Sequence, residues 1–174
     1  AKVPADKIKL HTIVSEKPVP ANELIERIKA RHGERFLMAF SGTFINPEAN
    51  EVIGRVESEG KVLAPGIIKR GTYLVYDKEH NSIFLSDEYR RGTTVIGGLV
   101  RVVRNKRLDI DRSRKVEQDR PTYRIGVGIK ENTLHFFASF STVENFARDL
   151  VRNGVKDAAL LDGGRHAVFY YRHP

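Results

Sequence analysis

The segment Ala158-Ala159-Leu160-Leu161-Asp162-Gly163-Gly164, read as AALLDGG, decides how the chain is organised. Four apolar residues in a row make a buried-looking strand, and Asp-Gly-Gly ends it with turn chemistry. Asp-Gly is also the commonest hairpin signal, and Ala167–Tyr171 then reads as a final strand returning from it. On residues alone, Asp162 is a turn residue bonding its own backbone, followed by glycines that permit positive φ.

Working upstream, Ser141 with Glu144 reads as a capping box that opens a helix. Val143, Phe146, Ala147, Leu150 and Val151 line one face of that helix, and Gly154 supplies its stop. Arg124–Ile129 and Leu134–Ala138 form an expected hairpin around Lys130-Glu131-Asn132. Arg107–Pro121 is polar, charged and aperiodic, and reads as an exposed excursion. Before it, from Val52 to about Arg107, short strands alternate with glycines: Val52–Val56, Gly60–Leu63, Tyr73–Tyr76, Ser82–Leu85 and Leu99–Val103. That spacing of turn signals predicts a meandering, largely antiparallel sheet.

Nearer the N-terminus, Ile8–Val14 is predicted as a strand broken by Pro18 and Pro20. Asn22 reads as the N-cap of a helix carrying Leu24, Ile25 and Ile28 on one face, closed by Gly33. Phe36–Phe40 is a strand-length apolar run ended by Ser41-Gly42-Thr43. The fold class expected is α+β: a mixed, largely antiparallel sheet system with two principal helices, near Asn22–His32 and Thr142–Asn153, in a single domain over residues 1–174.

Glu23–Phe44 and Glu144–Arg165 align without a gap, each as helix, glycine, strand and small polar turn. Arg27 matches Arg148, Arg31 matches Arg152, and Gly42 matches Gly163. Any two helix–glycine–strand units share such features, so duplication does not follow. A geometric expectation does: if the two strands lie parallel in one sheet, Ser41-Gly42-Thr43 and Asp162-Gly163-Gly164 emerge at the same edge, where open sheets bind ligands.

The bulk numbers bound the function. The chain has 174 residues, 40% hydrophobic and 30% charged, as in an ordinary globular domain. No apolar run approaches the roughly 20 residues that span a bilayer. It opens at Ala1, and nothing there reads as a signal peptide. The absence of cysteine excludes disulfide and thiolate chemistry and fits either redox compartment. The six histidines never fall at a close metal-ligand spacing, so no metal and no cofactor is expected.

A formal charge of +8 favours an anionic partner. Basic residues concentrate between Arg101 and Arg124, with only four acids among them. The plainer reading there is a solvated hairpin with long cationic side chains. Nucleic acid is a weaker alternative, because few aromatics accompany the run and base stacking lacks a surface.

Several motifs, in order, are similar to those of the phosphodiester glycosidase family. Leu161-Asp162-Gly163-Gly164 matches the family's Leu-Asp-Gly-Gly-Gly-Ser, and Arg124-Ile125-Gly126-Val127-Gly128 its Arg-Thr-Ala-Ile-Gly strand. Ser41-Gly42-Thr43-Phe44-Ile45 resembles an Asn-Gly-Thr-Phe-Phe turn. Gly54, Glu59-Gly60-Lys61 and Ile96-Gly97-Gly98-Leu99 fit the later glycine segments. The likeness covers roughly residues 36–171. It departs at Ser41, which replaces asparagine, and at Arg165-His166, which replace the terminal Gly-Ser pair.

The resemblance implies a hydrolase that cleaves a sugar-1-phosphodiester or related glycan-phosphate linkage, in an extracytoplasmic setting. Such a reaction passes through an oxocarbenium-like state, and a phosphodiester leaves more readily than an alcohol. It needs one carboxylate near the anomeric carbon and cations on the departing phosphate. The resemblance puts Asp162 in the first role, and Arg124 and Arg165 in the second, since a guanidinium grips two oxygens at once. Gly163 and Gly164 would bring backbone N–H groups to the ligand, beside Ser41, Gly42, Thr43 and His166. Glu48, Asp87 and Glu88 are unranked candidates for a second carboxylate. The rival to an enzyme is a binding module on the same scaffold, holding an anionic glycan or phosphorylated ligand.

Overall fold

A computed structural model of the chain describes residues 2–7, 9–10, 12, 14, 19–33, 38–46, 48–49, 51–68, 71–111, 119–163 and 169–171. The described elements begin with β1 (Lys2–Pro4), a 3-10 turn (Ala5–Lys7), α1 (Ala21–His32), β2 (Met38–Phe40), β3 (Ile45–Asn46) and β4 (Glu51–Val52). They continue with β5 (Val56–Ser58), β6 (Lys61–Ala64), β7 (Thr72–Asp77), β8 (Ser82–Ser86), β9 (Thr94–Arg104) and β10 (Arg107–Leu108). The last are β11 (Thr122–Lys130), β12 (Thr133–Ser141), α2 (Val143–Arg152), β13 (Asp157–Leu160) and β14 (Phe169–Tyr171).

A ten-stranded sheet dominates, with order β1-β12-β11-β13-β9-β5-β6 and β7, β8 and β10 attached through β9. Its ladders are antiparallel, as the turn spacing predicts. The expected α+β balance shifts toward sheet, because only α2 buries an apolar face on it. Val143, Phe146, Ala147 and Leu150 pack with Val102, Val103, Val155, Ala158 and Leu160. Helix α1 has no buried residue. Among the described residues no helix is long and apolar enough to cross a membrane.

β13 explains the unbroken AALL run. It pairs with β11 on one edge and β9 on the other. Ala158 and Leu160 face α2, while Ala159 and Leu161 enter the second core with Leu74, Ile96, Ile125, Val127 and Phe136. A strand covered on both faces has no solvent side, so its sequence does not alternate.

The structure revises several boundaries. Thr142, not Ser141, caps α2, accepting from the Asn145 N–H at 3.2 Å, and Glu144 pairs with Arg148 instead of closing a box. Pro20 precedes α1 with no side-chain cap, and Asn22 lies inside the helix. Val52–Val56 is broken at Ile53–Arg55, because the Ile53 carbonyl accepts the N–H groups of both Ile67 and Ile68. Leu99–Val103 is only part of the eleven-residue β9, which runs through Gly97-Gly98. The excursion from Arg107 begins with β10 folding back on β9, and Ile110 packs against the α2 core; residues 112–118 lie outside the described residues.

Two N-terminal expectations change as well. In the predicted strand Ile8–Val14, residues 8, 11 and 13 lie outside the described residues and the others form no strand. β1, which the sequence did not announce, pairs with β12 instead. Residues 36–37 and 167–168 of two further predicted strands are also outside the described residues. The remaining parts, β2 and β14, pair with each other, so β13 and β14 do not form the expected Asp-Gly hairpin.

Candidate active site

β13 leaves the sheet at the residues that follow it. Its pairing with β9 ends at Leu160 opposite Val100, and Leu161 then donates its N–H to the Ile125 carbonyl at 2.9 Å. The next N–H, that of Asp162, donates to the Gly42 carbonyl at 2.9 Å. The two small polar turns therefore meet. They do so although β2 and β13 belong to different sheets, contrary to the single parallel sheet that the internal alignment envisaged.

The meeting point lies where β9 changes partners. β5 runs beside residues 94–96 and β13 beside residues 100–103, leaving Gly97-Gly98 between them. Gly54 presses in at this place: a Cβ on it would overlap the Gly97 carbonyl. Thr43 Oγ1 accepts the Gly54 N–H at 3.2 Å, and a Cβ on Gly98 would stand 3.1 Å from that oxygen. Gly98 also has φ of 70°, a conformation L side chains rarely adopt. Turn 41–43 is thus clamped between β9 and Asp162.

Asp162 is half-buried, and its Oδ1 accepts the Gly163 N–H at 2.9 Å, as the turn reading expects. Gly163 lies against β11, where a Cβ would come 2.8 Å from the Tyr123 carbonyl. Arg124, next along β11, donates from Nε to the Ser141 carbonyl (3.4 Å) and from Nη2 to the Arg120 carbonyl (3.1 Å). Burial lowers its pKa below the usual guanidinium value. Among the expected residues, Ser41, Gly42, Thr43, Asp162, Gly163 and Arg124 belong to this one neighbourhood. Gly164, Arg165 and His166 lie outside the described residues.

The other carboxylates sort differently. Asp87 is held by Arg101 (2.9 Å), Arg104 (2.5 Å) and Thr72 Oγ1 (3.0 Å). Burial pushes its pKa up, and the hydrogen bonds from Arg104, Arg101 and Thr72 outweigh it, leaving the carboxyl below its ordinary value. Arg101 also reaches Asp157 at 3.5 Å with its side chain only 9% exposed, so it is not the solvated cation the basic run implied. Glu48 is exposed, and Glu88 pairs with Arg90 at the surface. Glu57, which no motif in the chain signals, is 3% exposed and bound by Arg55 Nε (2.5 Å) and the Tyr89 hydroxyl (3.1 Å). In an alternating strand it reads as solvent-facing.

Among the described residues no three His, Asp or Glu side chains gather as a metal site would require. A separate cleft is lined by Asp6, Lys9, Glu59, Asp77, Asn81 and Arg91 among others, and none of the candidate residues borders it. Asn81 accepts from Asn132 at the turn of the β11–β12 hairpin, whereas Tyr123 and Arg124 lie at its open end.

The family model for phosphodiester glycosidases matches residues 33–174, which includes both turns, β11 and β13. The chain belongs to the phosphodiester glycosidase family. No curated protein matches it in sequence. Among solved structures it is similar to the catalytic domain of zebrafish N-acetylglucosamine-1-phosphodiester alpha-N-acetylglucosaminidase, auto-inhibited by its pro-peptide. The TM-score is 0.64 at 19% identity, covering 78% of this chain and 53% of that one. A hypothetical protein from Synechocystis gives a TM-score of 0.65 at 10% identity, covering 98% and 52%. This member of the phosphodiester glycosidase family therefore spans about half the length of those structures, and the likeness is one of fold.

Proposed function

We propose that this chain carries the site of a hydrolase that cleaves a sugar-1-phosphodiester, with Asp162 as its carboxylate. The observation that carries the reading is the bond from Asp162 N–H to Gly42 O, which joins two turns from opposite ends of the family match. The named activity of the zebrafish relative supports the substrate class.

In this reading the bond from the anomeric carbon to the phosphate oxygen breaks, and the phosphate monoester leaves with the electron pair. Asp162 stabilises the oxocarbenium-like centre and takes the proton of the water that adds there. Arg124 supplies positive charge at the open end of β11. Arg165 and His166 contribute further cationic contacts to phosphate.

A second reading is favoured by the Asp162 Oδ1 bond to Gly163 N–H, which a plain turn also makes. The chain would then bind an anionic glycan or phosphorylated ligand without turning it over. Incubation with an aryl- or nucleotide-linked sugar phosphodiester separates the two. Wild type should release the sugar and Asp162→Ala should not; equal inertness of both removes the catalytic reading for that substrate class.

A further inference from the structure

Arg55 and Glu57 stand either side of Val56 at the start of β5, and Arg55 Nε donates to Glu57 Oε1 at 2.5 Å. The Tyr89 hydroxyl donates to the same oxygen at 3.1 Å, and its ring lies 4.9 Å from the Arg55 Cζ. The guanidinium is thus fixed at Nε and along one face of its plane. Among the described residues nothing accepts from Nη1 or Nη2, although the side chain is only 32% exposed. Side-on pairing of Nε and Nη2 with both carboxylate oxygens would be the stronger ion pair, and only Nε and Oε1 are used. Replacing a buried pair by apolar residues is often neutral or stabilising, so stability alone does not account for this one.

The cluster borders the candidate site. Asp162 N–H bonds the Gly42 carbonyl, and Thr43 Oγ1 accepts the N–H of Gly54, the residue before Arg55. Arg55 and Asp162 also share a side of the sheet. Ala158 and Leu160 face α2 and Leu161 enters the opposite core, so alternation returns Asp162 to the α2 side. Glu57 pairs with Val95, which packs with Tyr73 and Val75 on the side away from Leu74, Tyr76 and Ile96 of that same core. Tyr73 in turn stands against Tyr89, with ring centroids 6.1 Å apart. Turn 41–43 therefore has Asp162 bonded at Gly42 and the Gly54-Arg55 backbone bonded at Thr43. Arg124, by contrast, already spends Nε and Nη2 on the carbonyls of Ser141 and Arg120.

We propose that Arg55, positioned by Glu57 and Tyr89, is an oxyanion-binding residue of the candidate site, whose two Nη groups grip the phosphate of the ligand. This rests on the sugar-phosphodiester reading above and assigns its phosphate contact. A guanidinium held at Nε presents paired N–H donors that match two oxygens of one phosphate. Glu57 and Tyr89 act through Arg55: they hold its plane in one orientation, so less freedom is lost when the anion binds.

The test uses the full chain, with inorganic phosphate and glucose 1-phosphate as probes and glucose as the uncharged control. Calorimetry measures affinity, and the Arg55 Nε–H resonance reports on the guanidinium itself. Arg55→Lys keeps the charge without the fork, and Arg55→Gln removes both. Arg91→Gln removes an exposed cation from the separate cleft and controls for net charge. Wild type should bind at least one phosphate probe, not glucose, and shift the Nε–H signal as it does so. Each Arg55 variant should weaken that binding about tenfold or more, with Arg91→Gln near wild type. Should the Arg55 variants fail to fold, the wild-type Nε–H shift decides. A wild type that binds neither phosphate probe, or an Nε–H signal indifferent to them, overturns the proposal. Equal affinity in Arg55→Lys and wild type overturns it too, and equal weakening in Arg91→Gln does so in favour of bulk charge. The two proposals fail separately. Turnover lost in Asp162→Asn with KM unchanged in Arg55→Lys refutes only the phosphate contact; Arg55-dependent phosphate binding with no turnover refutes only the hydrolase.

Discussion

The backbone N–H of Asp162 donates to the carbonyl of Gly42 at 2.9 Å. This bond joins the turn after β2 to the turn after β13, which share no sheet. It holds a half-buried carboxylate beside the point where β9 changes partners, and the following predictions probe that arrangement and its supports.

Asp162→Asn keeps an acceptor for the Gly163 N–H but removes the charge. Turnover of a sugar phosphodiester should fall by about 100-fold or more. Stability in urea should stay within about 1 kcal/mol of wild type. An active Asn variant would move the catalytic carboxylate elsewhere.

Gly54→Ala forces a Cβ into the Gly97 carbonyl, and backbone cannot rotate away as a side chain would. The expected loss is about 3 kcal/mol. Chemical denaturation measures it, and a variant as stable as wild type would show that β5 and β9 do not approach so closely.

Asp87→Ala strips Arg104 of one partner and leaves the nearly buried Arg101 with only the longer contact to Asp157. Breaking a fully buried pair costs more, but Asp87 is 40% exposed, so about 1–2 kcal/mol is expected at neutral pH. The folded carboxyl titrates below the ordinary 3.8. Its contribution is therefore full above that pH and lost as pH falls through the folded value. Urea curves of variant and wild type should converge in acid and differ at pH 7.

His135 is 6% exposed, and burial, reinforced by the charges of Lys2 and Lys130, lowers its pKa below 6.5. Between the folded value and 6.5 the unfolded chain binds more protons, so stability is full above 6.5 and declines as pH drops toward the folded value. A pH series of melting temperatures from 8 to 5 should show this decline flattened in His135→Gln. Parallel slopes for both proteins would assign the decline to other groups.

Much of the fold is written in local pattern. The β11–β12 hairpin was legible because Glu131-Asn132 adopts positive φ between two alternating runs. α2 was legible from the spacing of Val143, Phe146, Ala147 and Leu150, although its cap moved by one residue to Thr142. Gly97-Gly98 misled, since glycines that ordinarily end a strand here admit Gly54 and Thr43 against a strand that continues. Glu57 was invisible because nothing along the chain tells that Arg55 and Tyr89 will enclose it.

By itself the sequence determined that AALL is a buried strand, that Asp162 begins a turn, and that the chain carries the motifs of its family. Those properties depend on periodicity and turn chemistry among neighbours. Only the tertiary structure decided that the strand after the Asp-Gly turn pairs with β2 instead of β13, and that the Asp162 N–H finds Gly42. A main-chain donor leaving the sheet must bond something. Which carbonyl it meets depends on how the distant turn is clamped between Gly54 and Gly98, a packing relation that no local stretch encodes.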